Sequence, residues 1–220
     1  MSTATPSHRV HNLPGVEGLT PPRPPVSADE YMDWVLRTGA NAEWVEGEII
    51  MMAPSGPEQQ DLNWWLCTLV RHYVDYKDLG IVLMDTFTRL TVPRQQVRAP
   101  DVLFVQKSRA NIVVGNKAIG GAPDLIMEVV SHDSQARDWR EKYHDYEAAG
   151  VREYWIIDPA TQARETYALS AQGRYQRLAE QDGRLVSTVI PGWFLRPEWM
   201  WRDPRPSVLQ LLPELGIRLG

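Results

Sequence analysis

The chain has 220 residues, of which 43% are hydrophobic and 23% charged, with a formal net charge of -5 and one cysteine. That length suits one domain with a sizeable core. The net negative charge excludes a general grip on a phosphate backbone, so contact with nucleic acid would need a local basic patch. A single cysteine excludes a disulfide framework and fits a reducing cytoplasm. No run of about 18 apolar residues spans a membrane, and the N-terminus lacks a signal-type apolar region.

In chain order, residues 1–25 hold Pro6, Pro14, Pro21, Pro22, Pro24 and Pro25 among small and polar residues, which predicts a disordered or weakly ordered lead. A single domain is expected over 26–220. Ser27-Ala28-Asp29-Glu30 has capping-box spacing, and Tyr31, Trp34 and Val35 mark one face of a helix ending near Gly39. Ala42 to Met52 reads as two short strands around a tight Glu46-Gly47 turn. Leu62, Trp65, Leu66, Leu69, Val70 and Tyr73 give helical periodicity from about Glu58 to Lys77, with Gly80 as the expected stop. Cys67 sits in that pattern as a core residue rather than a reactive thiol.

Residues 81–92 suggest two strands, and Pro93 to Pro100 a loop carrying Arg94 and Arg98. Asp101 stands at the mouth of a strand over Val102 to Val105, and 107–121 reads as an exposed loop with a short helix. Pro123 to Ser131 is a short apolar run bounded by turn residues. Leu125, Met127 and Val129 would point to one face of a strand, and Ile126, Glu128 and Val130 to the other, so this is a central strand covered on both sides. A helix follows over 138–149, with Trp139, Tyr143 and Tyr146 on one face and Gly150 as its cap. Val151 to Asp158 is another buried strand. Residues 163–169, 174–179 and 184–190 are expected as a three-stranded antiparallel meander, before irregular packing and a short helix at the C-terminus. The sum is an α/β fold with a mixed sheet.

Glu128 is the residue that points to chemistry. A lone carboxylate inside an apolar strand costs several kcal/mol or must stay protonated, so it needs a basic or metallic partner. Asp101, Glu43 and Lys142 are the candidates to join it. Oxygen ligands from Asp101 and Glu128, with the main-chain carbonyl of Val129, suit Mg²⁺ or Mn²⁺, and Lys142 could act on a water or a phosphate oxygen. That kit serves metal-assisted phosphodiester hydrolysis. Each of the other three also has a bland reading. Asp101 after Pro100 can be a turn residue, Glu43 hairpin polarity, and Lys142 the surface partner of Asp138 at i,i+4. His72, His132 and His144 share no metal-ligand spacing.

Pro100-Asp101, Gly121 to Ser131, Asp138-Trp139-Arg140-Glu141-Lys142 with Tyr146, and Gly150 to Pro159 resemble the Uma-two family of restriction endonucleases in the PD-(D/E)XK superfamily. Glu43-Trp44-Val45-Glu46-Gly47-Glu48 resembles that family's acidic hairpin. The resemblance spans about residues 27–200 and implies a restriction-endonuclease-like core with flanking helices. It also implies a metal-binding pair in Asp101 and Glu128, a catalytic lysine in Lys142 and an auxiliary acid in Glu43. The superfamily pattern sets lysine two residues after the glutamate, where Val130 stands. The family is thought to move it to the following helix, and Lys142 fits. Gln59 stands where the family usually has His, and His132 where it has Pro. The implied activity is Mg²⁺- or Mn²⁺-dependent hydrolysis of DNA. A homodimer is expected because nucleases that cut duplexes often pair. A degenerate nuclease-fold module that binds DNA or protein, and a phosphoesterase for smaller substrates, are the alternatives.

Overall fold

A computed structural model describes residues 20–115, 118–130 and 138–218, and not the side chains of Asp138 and Trp139. Most of the proline-rich lead, His132 and the side chain expected to lead the aromatic face at Trp139 therefore lie outside the described residues.

Helix α1 (Ala28–Thr38) opens with the expected capping box: Glu30 N donates to Ser27 Oγ at 3.2 Å and Ser27 N to Glu30 Oε2 at 2.9 Å. Such a cap stabilises a helix by about 1 kcal/mol. Gly39, with φ 65°, closes it, and Tyr31, Trp34 and Val35 are buried against the first sheet. Strands β1 (Ala42–Val45) and β2 (Glu48–Met51) meet at Glu46 (φ 48°) and Gly47 (φ 96°), the left-handed pair that a two-residue hairpin turn requires. Helix α2 (Pro57–Lys77) buries Leu62, Leu66, Leu69, Val70 and Tyr73. It ends one residue after Lys77, at Asp78 in the left-handed region (φ 54°), rather than at Gly80. Asp tolerates that conformation better than most residues. Gly80 instead opens β3 (Gly80–Met84), where a Cβ would come 2.1 Å from the Val105 carbonyl oxygen.

The remaining strands are β4 (Thr88–Leu90), β5 (Gln96–Arg98), β6 (Val102–Gln106), β7 (Val113–Val114), β8 (Ala118–Gly120) and β9 (Leu125–Val129). After helix α3 (Tyr143–Ala149) come β10 (Glu153–Asp158), β11 (Ala163–Leu169), β12 (Tyr175–Arg177), β13 (Leu185–Val186) and β14 (Phe194–Leu195), with short helices α4 (Pro197–Trp201) and α5 (Val208–Leu211). Two six-stranded mixed sheets result, ordered β2-β1-β5-β4-β8-β7 and β12-β11-β10-β9-β6-β3.

Three expectations are corrected. The loop expected over 93–100 contains β5, paired with both β1 and β4 and buried at all three residues. Its polar side chains hide the strand from an apolar pattern, because they bond to one another inside the protein. The region 107–121 contributes β7 and β8 beyond its 3₁₀ turn. The third meander strand leaves the second sheet: β13 pairs with β14 instead, where Phe194 and Leu195 offer it a partner.

Strand β9 is central, antiparallel to β6 and parallel to β10, so β9, α3 and β10 form the strand–helix–strand unit. Its two faces divide the interior as the alternation predicts. Leu125, Met127 and Val129 join the cluster under α2, while Ile126 and Val130 join Tyr146 and Tyr154 on the α3 side. Burying each such large side chain stabilises the fold by about 1.5–3 kcal/mol.

Candidate active site

Register brings the two central acids together. Val102 on β6 faces Met127 on β9, so continuing the antiparallel pairing by one residue sets Asp101 beside Glu128. Asp101 is held at the strand mouth by both its oxygens. Oδ2 accepts from Val129 N at 2.7 Å, and Oδ1 accepts from Asn63 Nδ2 of α2 at 2.9 Å. One helical turn earlier, Gln59 Nε2 donates to the Val129 carbonyl at 2.6 Å. Gln59 and Asn63 thus fasten α2 to the ends of β6 and β9.

Glu128 finds its partners on the helix that follows. Lys142 Nζ lies 3.1 Å from Glu128 Oε1, and Tyr146 Oη donates to the same oxygen at 2.8 Å. Lys142 closes a π-helical turn (Asp138–Lys142) that runs directly into α3. Such wide turns concentrate at functional sites. Its ammonium also lies 3.5 Å from Glu43 Oε1 on β1. Lys142 is buried between Glu43 and Glu128, so its reading as a surface ion-pair residue does not hold.

Glu43, Asp101, Glu128, Val129 and Lys142 line one cleft of about 610 Å³, with Gln59, Gln60, Met51, Met52 and Asp85 around them. Asp85 was not anticipated. It sits in the left-handed region (φ 48°) and its N–H donates to the carbonyl of Pro100, the residue before Asp101. Arg98 was anticipated only as a loop residue. It is fully buried and bonds Glu43 Oε2 at 2.7 Å, Asp145 Oδ2 at 2.7 Å and Gln96 Oε1 at 2.9 Å. A polar residue alternating with Val97 just before Pro100-Asp101 was the one local signal for it.

Burial sets the electrostatics. It pushes the Asp101 carboxyl up to about 7, against the opposing pull of Lys142 and the Val129 N–H, while the Asp85 charge adds to the rise. Burial pushes Asp85 up as well. Burial would also raise Glu43, but Lys142 and Arg98 hold it below the ordinary carboxylate range. The Tyr146 hydroxyl is pushed well above its usual value by burial and by Glu128 and Glu43, so it remains a donor to Glu128.

Among the described residues, no three His, Cys, Asp or Glu side chains converge as a self-sufficient metal cage. Mg²⁺ and Mn²⁺ do not need one, because Mg²⁺ is typically held by one or two carboxylates, with waters and substrate phosphate completing the shell. Two adjacent carboxylates, one of them short of counter-charge, and a main-chain carbonyl on the same cleft wall fit such an ion. No helix among the described residues is long and apolar enough to cross a membrane.

No curated protein matches the chain. Among solved structures it is similar to one titled a putative nuclease belonging to DUF820 from Anabaena variabilis ATCC 29413. The identity is 19%, covering 77% of this chain and 96% of that one, with a TM-score of 0.62. That likeness establishes a nuclease-like fold. The family model described as "putative restriction endonuclease" matches residues 28–198, and the chain therefore belongs to the Uma2 family.

Proposed function

We propose that the cleft is the active site of a divalent-metal-dependent endonuclease that hydrolyses DNA phosphodiester bonds. The observation that carries this reading is the convergence of Asp101, Glu128 and Lys142, from two strands and a helix, on one cleft wall. Asp101 and Glu128, with the Val129 carbonyl, would hold Mg²⁺ or Mn²⁺. When bound, the ion supplies Lewis acidity and a water of lowered pKa.

The other steps belong to the chain. Lys142 presents its ammonium to the scissile phosphate, where it offsets charge that builds on the non-bridging oxygens in the transition state. Glu128 and Glu43 orient that ammonium from either side. Tyr146 fixes the Glu128 carboxylate by donating to Oε1. Asn63 and the Val129 N–H fix the Asp101 carboxylate, and Gln59 fixes the Val129 carbonyl. Glu43 serves as the auxiliary acid through Lys142, since its own oxygens are occupied by Lys142, Arg98 and the Ala99 N–H.

We further infer that residues 26–220 act as one nuclease-like domain, and that the protein works as a cytoplasmic homodimer on DNA, independent of membranes. Sedimentation at high concentration checks the dimer. The decisive experiment is plasmid cleavage with Mg²⁺ or Mn²⁺ by wild type, Glu128→Gln and Lys142→Ala. Cleavage by wild type alone is expected. Cleavage that persists in Glu128→Gln refutes the site. Gln59 already occupies one lone pair of the Val129 carbonyl, which favours the binding-module alternative if wild type cuts no form of DNA.

A further inference from the structure

Lys142 reaches the cleft from a helix rather than from the strand that carries Glu128. Its position therefore depends on how that helix is docked against the other sheet. The described contacts of this region form a chain of alternating charge. Glu128 meets Lys142, Lys142 meets Glu43, Glu43 meets Arg98, Arg98 meets Asp145, and Asp145 meets Arg94. Asp145 lies three residues after Lys142 and so on the same side of the helix. It is gripped twice, by Arg98 Nη2 at 2.7 Å and by Arg94 through Nε at 3.1 Å and Nη2 at 3.0 Å.

We propose that Arg98 is the positioning residue of Lys142: its guanidinium holds Glu43 of β1 and Asp145 of α3 together, which leaves the lysine ammonium between Glu43 and Glu128 at the cleft. The proposal rests on the reading of Lys142 as the working cation of the nuclease site. Arg98 suits the task because its planar fork offers five N–H donors in fixed directions and cannot be deprotonated. Placed wholly inside the protein, it bridges two elements that share no strand pairing. Without it, Asp145 would keep only Arg94 and Glu43 would lose its guanidinium, leaving Lys142 as the cation already 3.5 Å from Glu43. Four rotatable bonds would let the ammonium swing toward Glu43 and away from Glu128. A displacement of about 1 Å at a reacting group can lower a rate on the order of 100-fold.

The test uses Arg98→Met, Arg98→Lys and Asp145→Asn in the full chain. The sequence has four lysines, so in lysine-labelled protein the Lys142 side-chain Cε signal is assigned by its loss in Lys142→Ala. Metal-free wild type is expected to show that signal apart from the other three, and the variants to move it toward them. The kcat for cleavage should fall about 100-fold with KM little changed. Arg98→Lys should fail to restore it, since one ammonium cannot hold both acids.

Variants that melt like wild type with an unmoved Lys142 signal overturn the proposal. If Arg98→Met does not fold, Asp145→Asn decides, because it releases the helix while leaving Arg98 paired with Glu43. If wild type cuts no DNA, the Lys142 signal alone decides the positioning, and only the nuclease reading fails.

Discussion

Asp101→Asn separates the electrostatic cost of the site from its hydrogen bonding. An ordinary Asp titrates near 3.9, and burial pushes Asp101 up to about 7. Between these values the unfolded chain has lost the proton that the folded protein still holds. Stability therefore falls as pH rises through this window, and the whole cost is in place above about pH 7. About three decades at 1.36 kcal/mol each set an upper bound of about 4 kcal/mol. The new amide cannot ionise. Its oxygen can accept from the Val129 N–H as Oδ2 does now. Its NH₂ can donate to Asn63 Oδ1, which has no hydrogen-bond partner among the described residues, once the Asn63 amide rotates. The variant should match wild type at about pH 4 and below and exceed it by up to about 4 kcal/mol at pH 8. At about 2–4 °C per kcal/mol for a chain of this size, the melt would rise by up to about 15 °C. The assay is thermal melting in EDTA from pH 5 to 8. A difference that does not grow with pH, or a variant less stable at pH 8, refutes the reasoning.

Divalent metal should stabilise the protein more at pH 8 than at pH 6, because binding at Asp101 must displace its proton below about pH 7. Saturation at 100 Kd would add about 2.7 kcal/mol, read as a melting shift with Mn²⁺ at each pH. Glu128→Gln should keep the fold, its amide oxygen still accepting from Tyr146, and abolish plasmid cleavage. Lys142→Ala should abolish cleavage too and destabilise by roughly 1–3 kcal/mol, because Glu128 loses a buried charged donor. Gly80→Ala should destabilise by more than about 2 kcal/mol without touching the site, since its Cβ would meet the Val105 carbonyl at 2.1 Å; denaturant melts read this directly.

What the sequence made legible follows a physical division. Features written in neighbouring residues could be read: the Ser27–Glu30 cap, the Glu46-Gly47 turn, and the two-faced alternation of 125–130, which marked Glu128 as a buried acid in need of a partner. Features that rest on long-range pairing could not. Gln96–Arg98 looks like loop because its buried arginine is satisfied by Glu43 and Asp145, 55 and 47 residues away. Leu185–Val186 looked like meander because nothing local says that Phe194–Leu195 will pair with it. Asp85 carries no pattern at all, since it enters the cleft through the path of a turn. The Lys142 position is intermediate. Its i,i+4 spacing from Asp138 fitted a surface pair equally well, and only the family resemblance assigned it to Glu128.

The described charges at the cleft are unbalanced in the sense that the proposed cation site requires. Among the described residues, Glu43, Asp85, Asp101, Glu128 and Asp145 bring five acids to the cleft and the chain of charges behind it, against three cations, Arg94, Arg98 and Lys142, of which Arg94 is also shared with the exposed Glu46 at 4.0 Å. When all are ionised, these acids outnumber the cations by at least two, the charge that one divalent cation carries. A DNA phosphate entering at about 4 Å from one uncompensated charge would be repelled by about 4 kcal/mol at an effective dielectric near 20. The protein as a whole adds no attraction, with its net charge of -5. The retained proton on Asp101 removes one of the two charges below about pH 7. In EDTA, DNA should therefore bind weakly at pH 8 and more tightly at pH 6, while Asp101→Asn should bind at pH 8 as wild type does at pH 6. Fluorescence anisotropy of a labelled duplex at fixed ionic strength measures this. Equal affinity of wild type at the two pH values would show that phosphate does not approach Asp101.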